Sequence, residues 1–253
     1  MKLAKELNLD NLKLKVMAIG GSGVGKTHFG GTFPKTAFIN TEPGGMDTIV
    51  TNPALKANLV CYEEFIPQSP QDTKRIFEDI YKYLKEVREL IKKGEVESVV
   101  LDNLTYLTEN RWSWQETFGV VYSKGGEVNT RGMYGDLGRW LYTFVLMELL
   151  SLPANLVITC HEKLESDEVV EKKPDKTNPI VANILGGFRD TADGMFSLVL
   201  YLNKLAQGNN IYKYVGRANR GNSRNAKNRW GLKEVIENIS YQAIMAELGK
   251  TIK

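Results

Sequence analysis

Residues 12–27 restrict this chain more than any other stretch: an apolar run leads into Gly20-Gly21-Ser22-Gly23-Val24-Gly25-Lys26-Thr27. The run carries Leu14, Val16, Met17, Ala18 and Ile19 and reads as a strand, and the octapeptide after it fits the Gly-x-x-x-x-Gly-Lys-Thr phosphate loop of a Walker A motif. Glycines at 20, 21, 23 and 25 let successive backbone N–H groups turn into one concavity that cradles phosphate oxygens. A helix beginning near Lys26 adds the positive end of its dipole. Lys26 would then reach the β- and γ-phosphates, Thr27 would ligate Mg2+ through its hydroxyl, and His28 would follow beside the nucleotide. The alternative is a plain Gly-rich turn, but the full pattern stands between a strand and a helix, as a phosphate loop requires.

Alternation of strands and helices sets the fold class. Strands are expected at 36–40, 59–62, 98–102 and 155–160, with a helix through about Phe33 that stops before Pro34. Ser69-Pro70 caps a second helix whose face is Ile76, Ile80, Leu84, Val87 and Ile91, and Gly94 ends it. From Asn110 to about Gly135 the pattern loosens, and an apolar helix follows from about Asp136 to Leu150. Residues 164–190 read as a long loop, 195–202 and 211–215 as a hairpin around Gln207-Gly208-Asn209-Asn210, and 241–248 as a final helix. The sum is an α/β fold: a mostly parallel central sheet flanked by helices, with a C-terminal antiparallel hairpin and ligands beyond the carboxyl ends of the strands.

At 253 residues the chain can bury one substantial core, so one domain over 1–253 is expected, with 1–11 as a short polar lead. No apolar run approaches membrane-spanning length and Met1-Lys2-Leu3-Ala4-Lys5-Glu6 lacks a signal-peptide core, so a cytosolic protein without membrane contact is expected. Cys61 and Cys160 fall in apolar runs and read as buried, reduced thiols. Net charge is only +3, but no acidic residue falls between Asp193 and Glu234, while Lys204, Lys213, Arg217, Arg220, Arg224, Lys227, Arg229 and Lys233 do. Such a block suggests a phosphate-bearing partner.

Each candidate catalytic group ends a strand. Asp102 after Val99-Val100-Leu101 gives a Walker B pattern, a carboxylate delivered to the Mg2+ shell. Glu42 could orient and deprotonate a water in line with the γ-phosphate, and His161 could sense that phosphate. Lys227 and Arg229, two apart on an extended segment, point the same way and could clamp one phosphate.

In this order the motifs resemble the RecA/RadA and DnaB-type ATPase core, and more closely the phage-encoded minimal RecA-like ATPases linked to single-strand annealing and recombination. The matching pieces are the phosphate loop, Phe38-Ile39-Asn40-Thr41-Glu42-Pro43-Gly44-Gly45, Val99-Val100-Leu101-Asp102-Asn103-Leu104-Thr105, Val157-Ile158-Thr159-Cys160-His161-Glu162-Lys163 and Ala226-Lys227-Asn228-Arg229-Trp230-Gly231. The resemblance implies a RecA-like P-loop fold that hydrolyses ATP with Mg2+, with Glu42 as catalytic glutamate. It places His161 at the sensor position, where recombinases often carry Gln, and makes Lys227 and Arg229 a finger reaching the nucleotide of a neighbouring copy in a ring or filament. It also assigns two DNA-holding loops: 118–135, with Tyr122, Lys124, Arg131 and Tyr134, and 163–189, with Lys163, Lys172, Lys173, Lys176 and Arg189. Basic groups would follow a single-stranded DNA backbone and aromatics would stack on bases. The leading expectation is a DNA-stimulated ATPase of annealing, strand exchange or recombination. The others are a nucleotide-gated loader acting on a replication or single-stranded-DNA-binding protein, a DnaB-like translocase core, and a small-molecule kinase, in which Glu42 and the Lys-x-Arg pair have no task.

Overall fold

The computed structural model describes residues 12–164, 180–207, 212–218 and 226–251. The expected polar lead, most of the hairpin turn, and Lys172, Lys173, Lys176, Arg220 and Arg224 lie outside the described residues. The strands are β1 (Lys15–Gly20), β2 (Thr36–Asn40), β3 (Leu59–Glu64), β4 (Ser98–Asp102), β5 (Asn155–Leu164), β6 (Ile180–Ala182), β7 (Leu198–Ala206), β8 (Tyr212–Arg217), β9 (Lys227–Asn228) and β10 (Val235–Glu237). The helices are α1 (Lys26–Gly31), α2 (Asp47–Val50), α3 (Pro53–Lys56), α4 (Thr73–Lys92), α5 (Leu104–Phe118), α6 (Thr130–Thr143), α7 (Arg189–Met195) and α8 (Tyr241–Thr251).

The sheet runs β10-β8-β7-β1-β5-β4-β2-β3, parallel from β7 to β3, while β8 and β10 extend it antiparallel. Side chains alternate across it, so each central strand feeds two cores. Met17, Ile19, Val99, Leu101, Leu156 and Ile158 pack with α4, α5 and α6 on one face. Val16, Ala18, Val100 and Val157 pack on the other, with Phe29 of α1, Phe33 just after it, and Ile244 and Leu248 of α8. The expected C-terminal hairpin is β7–β8, with Tyr201 opposite Arg217.

A capping box between Ser69 and Asp72 starts the turn that leads into α4, which buries Ile76, Ile80, Leu84 and Val87 until Gly94, at φ 74°, ends it. Leu84 has no exposed surface, and Leu84→Ala is expected to lower the unfolding free energy by about 2–5 kcal/mol. Urea denaturation checks this, with the midpoint falling at unchanged slope.

The middle of the chain departs from expectation. The segment read as loose is helical through Phe118, because the buried side of α5 mixes Thr105, Thr108 and Gln115 with Leu104 and Leu107 and so dilutes its apolar stripe. Asn129 caps α6 at Thr130, earlier than Asp136, through its Oδ1 accepting from Gly132 N at 2.9 Å. A π-helical segment, Phe144–Leu150, continues it. The first candidate DNA loop therefore shrinks to 119–129, pinned by a Tyr122–Val128 bridge. Trp112 stacks on Tyr134 at 4.3 Å, and Trp114 lies beneath the Arg111 guanidinium at 3.6 Å.

Further differences have local causes. β5 continues past His161 to Leu164 because β6 pairs with it, so the expected long loop contains a strand and, at its end, α7. The short α2 and α3 and the strands β9 and β10 are too brief to carry a periodic pattern. Cys160 is buried as expected, but Cys61 sits half-buried on the edge strand β3, where the Tyr83 hydroxyl donates to its Sγ at 3.3 Å. Among the described residues no helix is long and apolar enough to cross a membrane.

Candidate active site

The carboxyl ends of β1, β2, β4 and the parallel part of β5 lie side by side: Gly20 is level with His161, and Asn40 with Asp102. This register gathers the candidate residues. Gly25, at φ 88°, turns the chain into α1, and a Cβ there would lie 2.8 Å from the Tyr214 ring, so only glycine fits. Lys26 is buried, its ammonium donating to Gly21 O at 2.8 Å and lying 3.3 Å from His161 Nδ1. Burial lowers its pKa, opposed by the nearby Glu42 and Asp102 carboxylates.

The Thr27 hydroxyl donates to Asp102 Oδ2 at 2.5 Å, and Thr159 Oγ1 donates to Asp102 Oδ1. Asp102 is fully buried, and desolvation raises its pKa against these hydrogen bonds. A hydroxyl and a carboxylate in contact are a hard-oxygen pair suited to Mg2+, which takes one or two protein groups plus phosphate and water. Among the described residues no group of three or more His, Cys, Asp or Glu side chains is placed to hold a metal.

Glu42 leaves β2 on a tight turn held by Asn40, whose Nδ2 donates to Glu42 O at 3.0 Å and to Glu64 Oε1 at 2.9 Å. Gly45 completes the turn; a Cβ there would meet Asn40 Oδ1 at 2.6 Å. The Glu42 carboxylate accepts from Asn103 Nδ2 and lies 3.4 Å from His161 Nε2. Burial pushes the carboxyl pKa up, but His161, Lys26 and Asn103 outweigh it and hold it below the ordinary value. Glu42 is thus ionised at neutral pH and can accept a hydrogen bond from water. The His161 ring turns Nδ1 to the Lys26 ammonium and Nε2 to Glu42. His161 is level with the end of β1 yet inside the longer β5, which fixes the ring between Lys26 and Glu42.

A cleft of about 350 Å3 opens over this group, lined by Gly23, Lys26, Thr27, His28, Glu42 and Tyr214 among others. His28 stacks with Tyr214 of β8 at 5.9 Å. Lys227 and Arg229 stand elsewhere. β9 pairs with the start of β7, level with Met17 and Val16, so Lys227 sits three residues, about 10 Å, from Gly20 along the strand direction and two strands to the side. Both side chains donate to Gly194 O, Lys227 at 2.8 Å and Arg229 at 3.2 Å, so they project together as expected, but away from the chain's own phosphate loop. The basic block is also less one-sided in space: Lys213 pairs with Glu237, Arg217 with Glu234 and Lys233 with Glu247.

The family described as the AAA domain matches residues 12–230. The chain belongs to that family. This AAA domain is a P-loop ATPase of RecA-like type, with the mostly parallel sheet and C-terminal hairpin expected from its motifs. Among the solved structures similar to it are two at 12% identity. One is a KaiC-like protein from the hyperthermophilic archaeon Pyrococcus horikoshii OT3, with 80% of this chain and 76% of that one covered and a TM-score of 0.38. The other is an ATPase from the type III secretion system of pathogenic bacteria, with 76% and 52% covered and a TM-score of 0.49; the AAA domain spans about half its length. No curated protein matches the chain.

Four residues of the site escape a reading of the sequence. Asn103, Thr105, Thr159 and Tyr214 each act through a contact made in space. Asn103, Thr105 and Thr159 stand inside the matching motif pieces without a role assigned to them, Tyr214 in none, and Asn103 alone carries a local signal, as an N-cap residue directly after Asp102.

Proposed function

We propose that this ATPase hydrolyses ATP with Mg2+ at sites shared between neighbouring copies and works on single-stranded DNA, in annealing, strand exchange or recombination. Thr27 and Asp102 would hold the metal and Lys26 the phosphates, and bound Mg2+ would neutralise charge on the transferring phosphate. Glu42 would take a hydrogen bond from the attacking water, with His161 set between it and Lys26.

One observation carries the DNA reading: the ends of the two segments expected to hold it, Tyr134–Gly135 and Gly187–Phe188, line one groove. Tyr134, Gly135, Gly138 and Tyr142 of α6 line about 390 Å3 together with Gly187, Phe188 and Thr191 at α7. A Cβ at Gly135, Gly138 or Gly187 would meet nothing within 4 Å, so the floor is open to close approach, and Tyr134 and Tyr142 are exposed at 40% and 51%. Exposed Lys124 and Arg131 lie in the loop before α6 and in its first turn, Arg189 opens α7, and Lys163 is on β5. Aromatic faces over an open backbone floor, with Arg131 and Arg189 on the elements that line it, suit single strands without sequence preference.

Fluorescence anisotropy with a labelled oligonucleotide, read beside ATPase rates, tests this. Single-stranded DNA is expected to raise the rate, and Tyr142→Ala to weaken DNA binding by about 1–3 kcal/mol. Hydrolysis by a monomer, indifferent to DNA, would overturn the proposal.

A further inference from the structure

We infer that Asn103 is a positioning residue for hydrolysis: it fixes the Glu42 carboxylate to the first turn of α5. Its side chain has no exposed surface and both ends are used. Oδ1 accepts from Tyr106 N at 2.9 Å, which caps α5 and settles which side of the amide is oxygen. The nitrogen must therefore face Glu42, and Nδ2 donates to Glu42 Oε2. The backbone is locked on both sides. Asn103 N donates to Thr41 Oγ1 at 3.0 Å, that hydroxyl donates to Asn103 O at 2.7 Å, and Asn103 O also accepts from Leu107 N. Thr41 is the residue before Glu42, so one amide ties the end of β2 to the start of α5.

The same turn reaches the other side of the site. Thr105 Oγ1 accepts from His161 N at 3.0 Å, and the Tyr106 ring meets the His161 ring edge-on at 5.8 Å. A cap needs only an acceptor, and serine or aspartate would supply one. Asparagine adds a donor aimed at a carboxylate that must hold its direction toward a water. A charge-assisted hydrogen bond of this kind limits the carboxylate to one orientation.

The inference rests on Glu42 as the hydrolytic carboxylate, and the experiment separates the two. Asn103→Asp keeps the capping oxygen and replaces the donor with a second carboxylate oxygen; Asn103→Ala removes both functions; Asn52→Ala removes an unrelated cap, at the start of α3. Measurements are kcat, the Kd of ATP and thermal unfolding of the full chain. The expected result for Asn103→Asp is a fall in kcat of about 10–100-fold with the Kd of ATP within about twofold and the fold retained. Asn103→Ala should lose kcat similarly and stability besides, whereas Asn52→Ala should lose stability alone. If Glu42→Gln stops turnover while Asn103→Asp turns over normally, the positioning role is wrong and the reading of Glu42 stands. If kcat follows stability across all three variants, Asn103 is only a cap. If Glu42→Gln itself turns over normally, both ideas fall.

Discussion

Glu42→Gln protein is expected to bind ATP about as tightly as the unaltered chain and to hydrolyse it about 10²–10⁴-fold more slowly. Glutamine has the same shape and still accepts from Asn103 Nδ2, so the turn held by Asn40 and Gly45 need not move. The loss is one of charge. In the unaltered site His161, Lys26 and Asn103 keep the carboxyl ionised despite partial burial. That environment makes Glu42 a weak base but a well-defined acceptor, able to orient a water and to take its proton as the bond to phosphorus forms. Binding should change little, because the phosphate contacts expected of such a loop would fall to Lys26, Thr27 and its backbone. Calorimetry for affinity and single-turnover hydrolysis for chemistry distinguish the two effects. Full turnover in Glu42→Gln protein would move the water-orienting role to another group.

How much of this was legible in the sequence depended on how each feature is encoded. The phosphate loop is one contiguous octapeptide whose geometry comes from its own glycines, so it could be placed without tertiary knowledge. The strands around it are buried on both faces, which makes them continuous apolar runs, and β2 and β4 fall on their expected residues. A parallel sheet aligns carboxyl ends, so Glu42, Asp102 and His161 could be grouped from strand ends alone. α5 hid because its buried side is partly polar, and Tyr214 because its contact with Gly25 exists only once β8 is in place. The basic block misled in the opposite direction: its compensating acids, Glu234, Glu237 and Glu247, come after it in sequence but fold back against it. Lys227 and Arg229 were half legible. Alternation gave their shared direction, whereas their place at the amino end of β7 is set only by pairing with β9.

That placement underlies the second large effect. Both groups turn from the chain's own phosphate loop toward Gly194 O, so under the proposed shared site the nucleotide they would serve is that of a neighbouring copy. Arg229→Ala is therefore expected to leave ATP binding by the single chain unchanged and to lower turnover of the assembled protein by about 10³–10⁵-fold, the range for a guanidinium supplied across an interface to a transferring phosphate. Mixing tests the arrangement directly. Arg229→Ala protein retains Glu42 and Glu42→Gln protein retains Arg229, and each alone should be nearly inactive. A head-to-tail contact uses a different patch on each partner, so in an equal, random mixture about one site in four unites an intact cradle with an intact finger. Turnover should then rise toward that fraction of the unaltered rate and track the product of the two mole fractions as the ratio is varied. If the finger served its own chain, every molecule would lack one group or the other, and no ratio would restore hydrolysis.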